Sequence, residues 1–241
     1  MTASGATRPR FASASPRYYP VVMTVFASLY VISNISATKG VLFGPVWGFP
    51  IFTDGGFLLF PLTYVLGDVL SEVYGFRRAR LAILLGFCIN IGAVLYFQLV
   101  LALPGAPGYT GQQAFRDVLG LTAPRILLAS LVGYSLGQLL NSFTLVLIKR
   151  ATDEKLLWVR LIGSTVVGEF ADTLAFCLIA APAIGIHGFA AIANYTLLGF
   201  LYKTLLEVVL LPITYPTIRA LKRHEPDYLR PDERTAVETV R

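Results

Sequence analysis

Six apolar segments, each long enough to cross a bilayer, occupy most of the 241-residue chain. They run at about 18–37, 54–75, 79–103, 124–148, 157–184 and 189–219. A transmembrane helix needs roughly 20 consecutive apolar residues, so six crossings leave little chain for anything outside the membrane. Only 14% of the residues are charged, where a soluble domain carries about a quarter. A large core cannot account for that deficit, because a soluble fold of this size still needs a polar surface. A lipid-facing surface removes the need. The expected fold is an all-α membrane protein, a bundle of six transmembrane helices over residues 18–221. A disordered N-terminal tail over 1–17 and a polar C-terminal tail over 222–241 flank it. The run from Tyr18 to Ala37 is too long for the apolar region of a signal peptide and lacks a small-residue cleavage site, so it reads as an uncleaved first span.

The interruptions are informative too. Val41 to Thr53 contains Gly44-Pro45, Trp47-Gly48 and Phe49-Pro50, a composition that disfavours regular helix. It reads as a loop or a short re-entrant piece, since irregular backbone at membrane depth must be buried in protein or line a cavity. Gln112 to Leu121 fits a short interfacial helix, and Pro212 and Pro216 are placed to kink the last segment. The basic residues fix an orientation. Sixteen of the 20 Lys and Arg lie in the N-terminal tail, the second and fourth connections and the C-terminal end. The opposite connections hold Lys39, Arg116 and Arg125, and Lys203 lies within the sixth segment. Positive loops stay in the cytoplasm, so both termini are expected there, in a bacterial inner membrane.

Several function classes find no support. The net charge of +6 is spread in short clusters between apolar runs, so no nucleic-acid partner is expected. There is no Walker sequence, Gly-rich nucleotide loop, Ser-His-acid set or His/Cys metal cluster. His187 and His224 lie outside the bundle interior. Cys88 and Cys177 sit in apolar segments and read as small buried residues without a disulfide. No catalytic residue, metal or cofactor is expected, and the chain is not expected to be an enzyme.

The ionisable groups inside the apolar helices carry the functional signal. Such groups cost a few kcal/mol at the bilayer centre and normally face the bundle interior or a wet cavity. The second segment carries Asp68 and Glu72, spaced i,i+4 and so on one face. Glu72 is also five residues from Arg77, so an interfacial ion pair and a ligand role both stand. The fourth carries Ser130, Tyr134, Gln138 and Asn141 as one polar stripe, which serves either a solute or interhelical hydrogen bonding. The fifth carries Glu169 and Asp172 at i,i+3, with Thr165 one turn before. Two carboxylates on one buried face repel unless a cation or donor-rich ligand lies between them. The sixth carries Lys203 and Glu207 at i,i+4, where mutual neutralisation is the bland alternative. Asn34 and Asn90 add amides. Carboxylates, amides and aromatics together suit a planar solute with several N–H donors, or an organic cation.

Several stretches resemble the queuosine precursor transporter family. They are Phe60 to Gly75 with Arg77-Arg78-Ala79-Arg80, and Pro124-Arg125-Ile126 through Ala129-Ser130, Tyr134 and Gln138 to Asn141. Trp158-Val159-Arg160 with Ser164-Thr165, Asp172-Thr173 and Phe176 forms a third match, and Lys203, Pro212 and Pro216 also fit. The motifs extend over about residues 28–218. Asn141 stands where an Asp is common in the family and Glu169 where a Gln is common, which leaves the choice among deazapurines, or the free base queuine, open.

The resemblance implies a six-helix, vitamin-uptake-like carrier. It also implies import of 7-cyano-7-deazaguanine or 7-aminomethyl-7-deazaguanine for tRNA queuosine synthesis. Asp172 or Glu169 would accept the N1–H and amine edge, Gln138 and Asn141 would read the O6 side, and Tyr134 or Phe176 would stack on the ring. Asp68 and Lys203 would lie nearer the conducting path, and Glu72 completes the candidate set. The expected partners are a deazaguanine-like solute and the lipid bilayer, with a homodimer allowed. Three rivals remain: the substrate-capture subunit of an ATP-driven vitamin importer, a membrane-embedded hydrolase using the paired acids, and a structural or assembly membrane protein whose polar stripes serve only packing.

Overall fold

A computed structural model describes residues 10–12, 16–46, 49–56, 58–120, 124–180, 188–226 and 228. His187 and the outer parts of both tails lie outside the described residues. The elements in chain order are α1 (Tyr19–Ser36), a hairpin of β1 (Gly40–Val46) and β2 (Phe49–Asp54), α2 (Phe60–Val69), α3 (Phe76–Ala102), α4 (Gln112–Leu119), α5 (Pro124–Ala151), α6 (Leu157–Ala180) and α7 (Phe189–His224). Leu70–Tyr74 continue α2 as a π-helical turn. Apart from the hairpin the architecture is all-α. Among the described residues α1, α3, α5, α6 and α7 are long and apolar enough to cross a membrane. The chain is therefore a multi-pass membrane protein. The ten residues of α2 and the five of its π turn together rise about 22 Å at 1.5 Å per residue, short of a hydrocarbon core about 30 Å thick.

Local chemistry explains most boundaries. Pro20 and Pro61 occupy the first turns of α1 and α2, where the missing N–H costs nothing. Gly75, at φ 81°, closes the π turn with a backbone conformation that a side chain would strain. In the region expected to be non-helical, β1 and β2 pair antiparallel, Gly40 with Asp54 through Phe43 with Ile51. The register breaks between Phe43 and Val46, where Pro45 cannot donate to the ladder. Gln98 donates to the Leu119 carbonyl and Gln112 to that of Leu101, both at 3.1 Å, which ties α4 to the end of α3. The helix α7 runs unbroken for 36 residues through Pro212 and Pro216. Its last turn takes in Lys222 and His224, beyond the expected end of the helical domain.

The core forms where α1, α2, α3 and α5 meet, around Phe26, Tyr30, Tyr64, Leu70, Ile83 and Tyr134. The outward faces of α3 and α7 expose Leu85, Ile89, Leu95, Leu99, Leu198, Leu201, Leu205 and Val209, as a lipid-facing surface requires. Cys88 is exposed on α3, contrary to the buried reading, and Cys177 is buried; neither forms a disulfide. Helices α5 and α6 pack backbone to backbone. A Cβ added at Gly137 would meet the Asp172 Cβ at 2.6 Å and the Gly168 carbonyl at 2.8 Å, and one at Gly168 would meet the Asn141 Cβ at 2.6 Å. Small residues at this spacing let membrane helices approach closely.

Four basic segments meet at one end of the bundle. The Ala12 amide donates to the Val73 carbonyl at 2.9 Å. The Arg10 amide donates to Glu154 in the turn between α5 and α6. Glu225, just past α7, accepts from the Arg17 amide at 2.9 Å, the Tyr18 amide at 2.8 Å and the Tyr74 hydroxyl at 2.7 Å. The described parts of the two tails are thus packed against the bundle rather than free of it.

Candidate functional site

A cavity of about 330 Å³ opens between α1, α2, α5, α6 and α7 in the half of the bundle away from that basic end. Tyr134, Glu169, Asp172, Phe176 and Lys203, all candidates from sequence, line it together with Tyr64 and Glu207. The Lys203 ammonium answers the repulsion between the two acids of α6. It lies 2.6 Å from Asp172 Oδ2 and 3.8 Å from Glu169 Oε2, so Lys203 pairs across helices rather than with Glu207 on its own. The Tyr64 hydroxyl donates to the same Asp172 oxygen at 2.7 Å. Asp172 is therefore held on two sides, while Glu169 Oε2 has no hydrogen-bond partner. One wall is aromatic: the Tyr134 ring lies 4.3 Å from Tyr30, 5.1 Å from Phe60 and 5.2 Å from Tyr64, centroid to centroid.

Ser130 and Tyr134 of the α5 polar stripe line the cavity, and Gln138 and Asn141 continue the stripe beneath it. Gln138 is fully buried and lies against Gly67, where a Cβ would come within 2.3 Å of its Oε1. Its amide donates to the Tyr134 hydroxyl at 3.2 Å. Asn141 donates to Asp68 Oδ1 at 2.7 Å, and Ser71 donates to the Ser142 hydroxyl at 2.8 Å. The amide oxygens of Gln138 and Asn141 are buried without partners. Asn34 donates to Asn90 at 3.0 Å, linking α1 to α3 at the cavity's edge.

Glu72 belongs to a second cluster, at the basic end. The π turn underwinds the helix between Asp68 and Glu72, and the two side chains meet different partners despite their i,i+4 spacing. Arg160 grips the Glu72 carboxylate with Nη2 at 2.9 Å and Nε at 3.1 Å. Lys222 reaches it at 2.5 Å and Lys149 at 3.6 Å. Lys149 also donates to the carbonyls of Glu72 at 2.6 Å and Arg10 at 2.8 Å. Tyr228 accepts from Lys149 at 3.2 Å and donates to Glu154 at 3.1 Å. Burial, followed by the Glu154 and Glu72 carboxylates, pushes the Tyr228 hydroxyl well above its ordinary pKa and keeps it a donor. Arg77, the neighbour considered from sequence, is exposed. Sequence reasoning missed Lys149, Arg160 and Lys222 as partners because they come from helices remote in sequence.

The bundle thus holds a charged cavity in one half and a buried ion cluster at the other end. The family model described as "Putative vitamin uptake transporter" matches residues 54–217, and the chain belongs to that family. It is 28% identical over 203 residues to "Probable queuosine precursor transporter" of Bacillus subtilis (strain 168), covering 84% of this chain and 82% of the relative. It is 28% identical over 153 residues to "Queuosine precursor transporter" of Escherichia coli (strain K12), covering 64% of this chain and 66% of that protein. No solved structure matches the chain. The family is one of transporters rather than enzymes.

Proposed function

We propose that this chain is a six-span inner-membrane carrier that imports queuosine precursors, 7-cyano-7-deazaguanine or 7-aminomethyl-7-deazaguanine, for tRNA modification. The observation that carries this reading is the cavity itself. Its volume of about 330 Å³ sits at the small end of ligand pockets and suits one bicyclic base. Glu169 Oε2 is buried without a hydrogen-bond partner, and the Glu169 carboxylate is placed to take the N1–H and amine edge of a deazaguanine as paired hydrogen bonds. Asp172, held by Lys203 and Tyr64, positions that edge, and Tyr134 and Phe176 offer faces for the ring. Gln138 and Asn141 support the floor from below rather than reading O6 directly.

In this reading α2 with its π turn is the sixth crossing. The segments that hold most of the basic residues converge at one end through Ala12, Glu154, Glu225 and Tyr228. That convergence favours an even number of crossings with both termini in the cytoplasm. The cavity then faces outward, and the Glu72 cluster seals the inner half of the path. Import requires that cluster to open after the solute has bound.

The test is complementation of a bacterium unable to make the precursors, scored by queuosine in its tRNA with each solute supplied. The wild-type chain restores queuosine without an added ATPase partner, and Asp172→Asn restores little at normal expression. Unchanged uptake by Asp172→Asn would remove that residue from the site. Dependence on a separate ATPase would move the chain to the substrate-capture class.

A further inference from the structure

The charges inside the bundle do not balance. Asp68, Glu169, Asp172 and Glu207 are all buried between α2, α5, α6 and α7. Among the described residues, the cation that reaches this set is Lys203, and it is committed to Asp172 and Glu169. The Glu72 carboxylate one turn further along has its own three cations, Arg160, Lys149 and Lys222. That leaves Asp68 on α2 and Glu207 on α7. Asp68 receives one hydrogen bond, from Asn141. Glu207 is buried and its oxygens take part in no well-formed hydrogen bond; the polar groups within reach are Asp68 and Thr165. The charged groups facing it are Asp68 and, more weakly, Glu169, with Thr165 of α6 beside it. Lys203, one turn away on the same helix, is turned to Asp172 and Glu169 instead.

An isolated ionised carboxylate away from water is so costly that the group binds a proton instead. Two facing carboxylates cannot both ionise without a cation between them. Glu207 also borders the cavity, and its carboxylate oxygens are shielded from water in this state, so proton exchange takes a side-chain movement towards the cavity. We propose that Asp68 and Glu207 form a shared proton site beside the solute pocket, and that the carrier moves a proton together with its solute. This rests on the carrier reading above. With the cavity open, a proton from water bonds to a Glu207 carboxylate oxygen. Sealing the cavity around a solute that has displaced its water would strand the charge of an ionised pair, so the loaded carrier crosses protonated; the empty carrier returns with water back in the cavity to solvate the ionised pair. On the inner side that O–H bond breaks, water takes the proton and the electron pair stays on the carboxylate. Nothing is oxidised or reduced.

The test uses the full chain in proteoliposomes with the neutral 7-cyano-7-deazaguanine as probe and the membrane potential clamped at zero. With one proton per solute, a gradient of one pH unit, acid outside, sustains up to about tenfold accumulation. The wild type is expected to approach that ratio and Glu207→Gln to stop near onefold. Infrared spectra provide a readout independent of the solute: a protonated carboxyl band that shifts in heavy water is expected in the wild type and lost in Glu207→Gln. Counterflow of labelled probe with no gradient tests the cargo alone. Counterflow without gradient-driven accumulation in the wild type overturns the proton proposal and leaves the cargo reading standing. If counterflow is absent the cargo reading fails, and the infrared band decides the proton site: loss in Glu207→Gln supports it, and absence from the wild type overturns it.

Discussion

Gly137→Ala tests whether the seam between α5 and α6 sets the geometry of the site. The new Cβ would lie 2.6 Å from the Asp172 Cβ, 2.8 Å from the Gly168 carbonyl oxygen and 3.3 Å from the Asp172 Cα. Carbon atoms rest at about 3.5–4.0 Å, so the two helices must part by about 1 Å. The obstructing atoms are backbone or Cβ, which cannot rotate away. Overpacking of this kind costs about 1–3 kcal/mol, and replacing Gly by Ala within a helix returns about 0.5–1 kcal/mol. The net expectation is a loss of up to about 2.5 kcal/mol. Gly92→Ala is the control, because a Cβ there meets nothing within 4 Å and only the helix term acts. The assay is unfolding of the purified protein in mild detergent, followed by helical circular dichroism, alongside uptake. Gly137→Ala should unfold earlier than wild type and Gly92→Ala no earlier. Uptake should fall for Gly137→Ala, because Asp172 moves away from its 2.6 Å contact with Lys203 and its 2.7 Å contact with Tyr64. Equal stability and equal uptake in the two variants would refute the seam as the element that positions Asp172.

Glu72→Gln removes the carboxylate that neutralises the buried side chains of Arg160 and Lys149. Breaking a buried pair costs about 3–5 kcal/mol, so folded yield and thermal stability should fall sharply, while the exposed Arg77→Gln stays within about 0.5 kcal/mol of wild type. Lys203→Met leaves Asp172 and Glu169 facing each other without their cation and should abolish uptake; wild-type transport in that variant would show that the pair with Asp172 is dispensable. Glu225→Ala releases the Arg17 and Tyr18 amides and the Tyr74 hydroxyl. Trypsin should then cut after Arg17 faster than in wild type, as read by mass spectrometry.

The helices were legible because apolar length is a local signal. The last five apolar segments expected from sequence correspond to α2 with its π turn, α3, α5, α6 and α7, and the first is α1 to within a residue at each end. The Gly-Pro stretch was legible only as a break. Whether it loops or pairs depends on a register between Gly40 and Asp54 that composition does not encode. α7 keeps helical backbone through Pro212 and Pro216, and composition alone marks only where a kink can fall.

The site was half legible. Burial of an acid could be read from the apolar residues around it, so Glu169 and Asp172 were found with no partner in view. A single sequence displays spacing along a helix, which offers Arg77 as a neighbour of Glu72 and Glu207 as one of Lys203. The fold supplied other partners from 31 residues away for Lys203 and Asp172 and from 88 residues away for Arg160 and Glu72. In a membrane interior such distant pairing is favoured physically. Each unpaired charge is so costly there that helix packing selects the arrangement in which cations and acids meet, whatever their separation in the chain. An acid left without a cation after that selection, as Glu207 is, therefore points more strongly to a proton than the same residue would in a soluble fold.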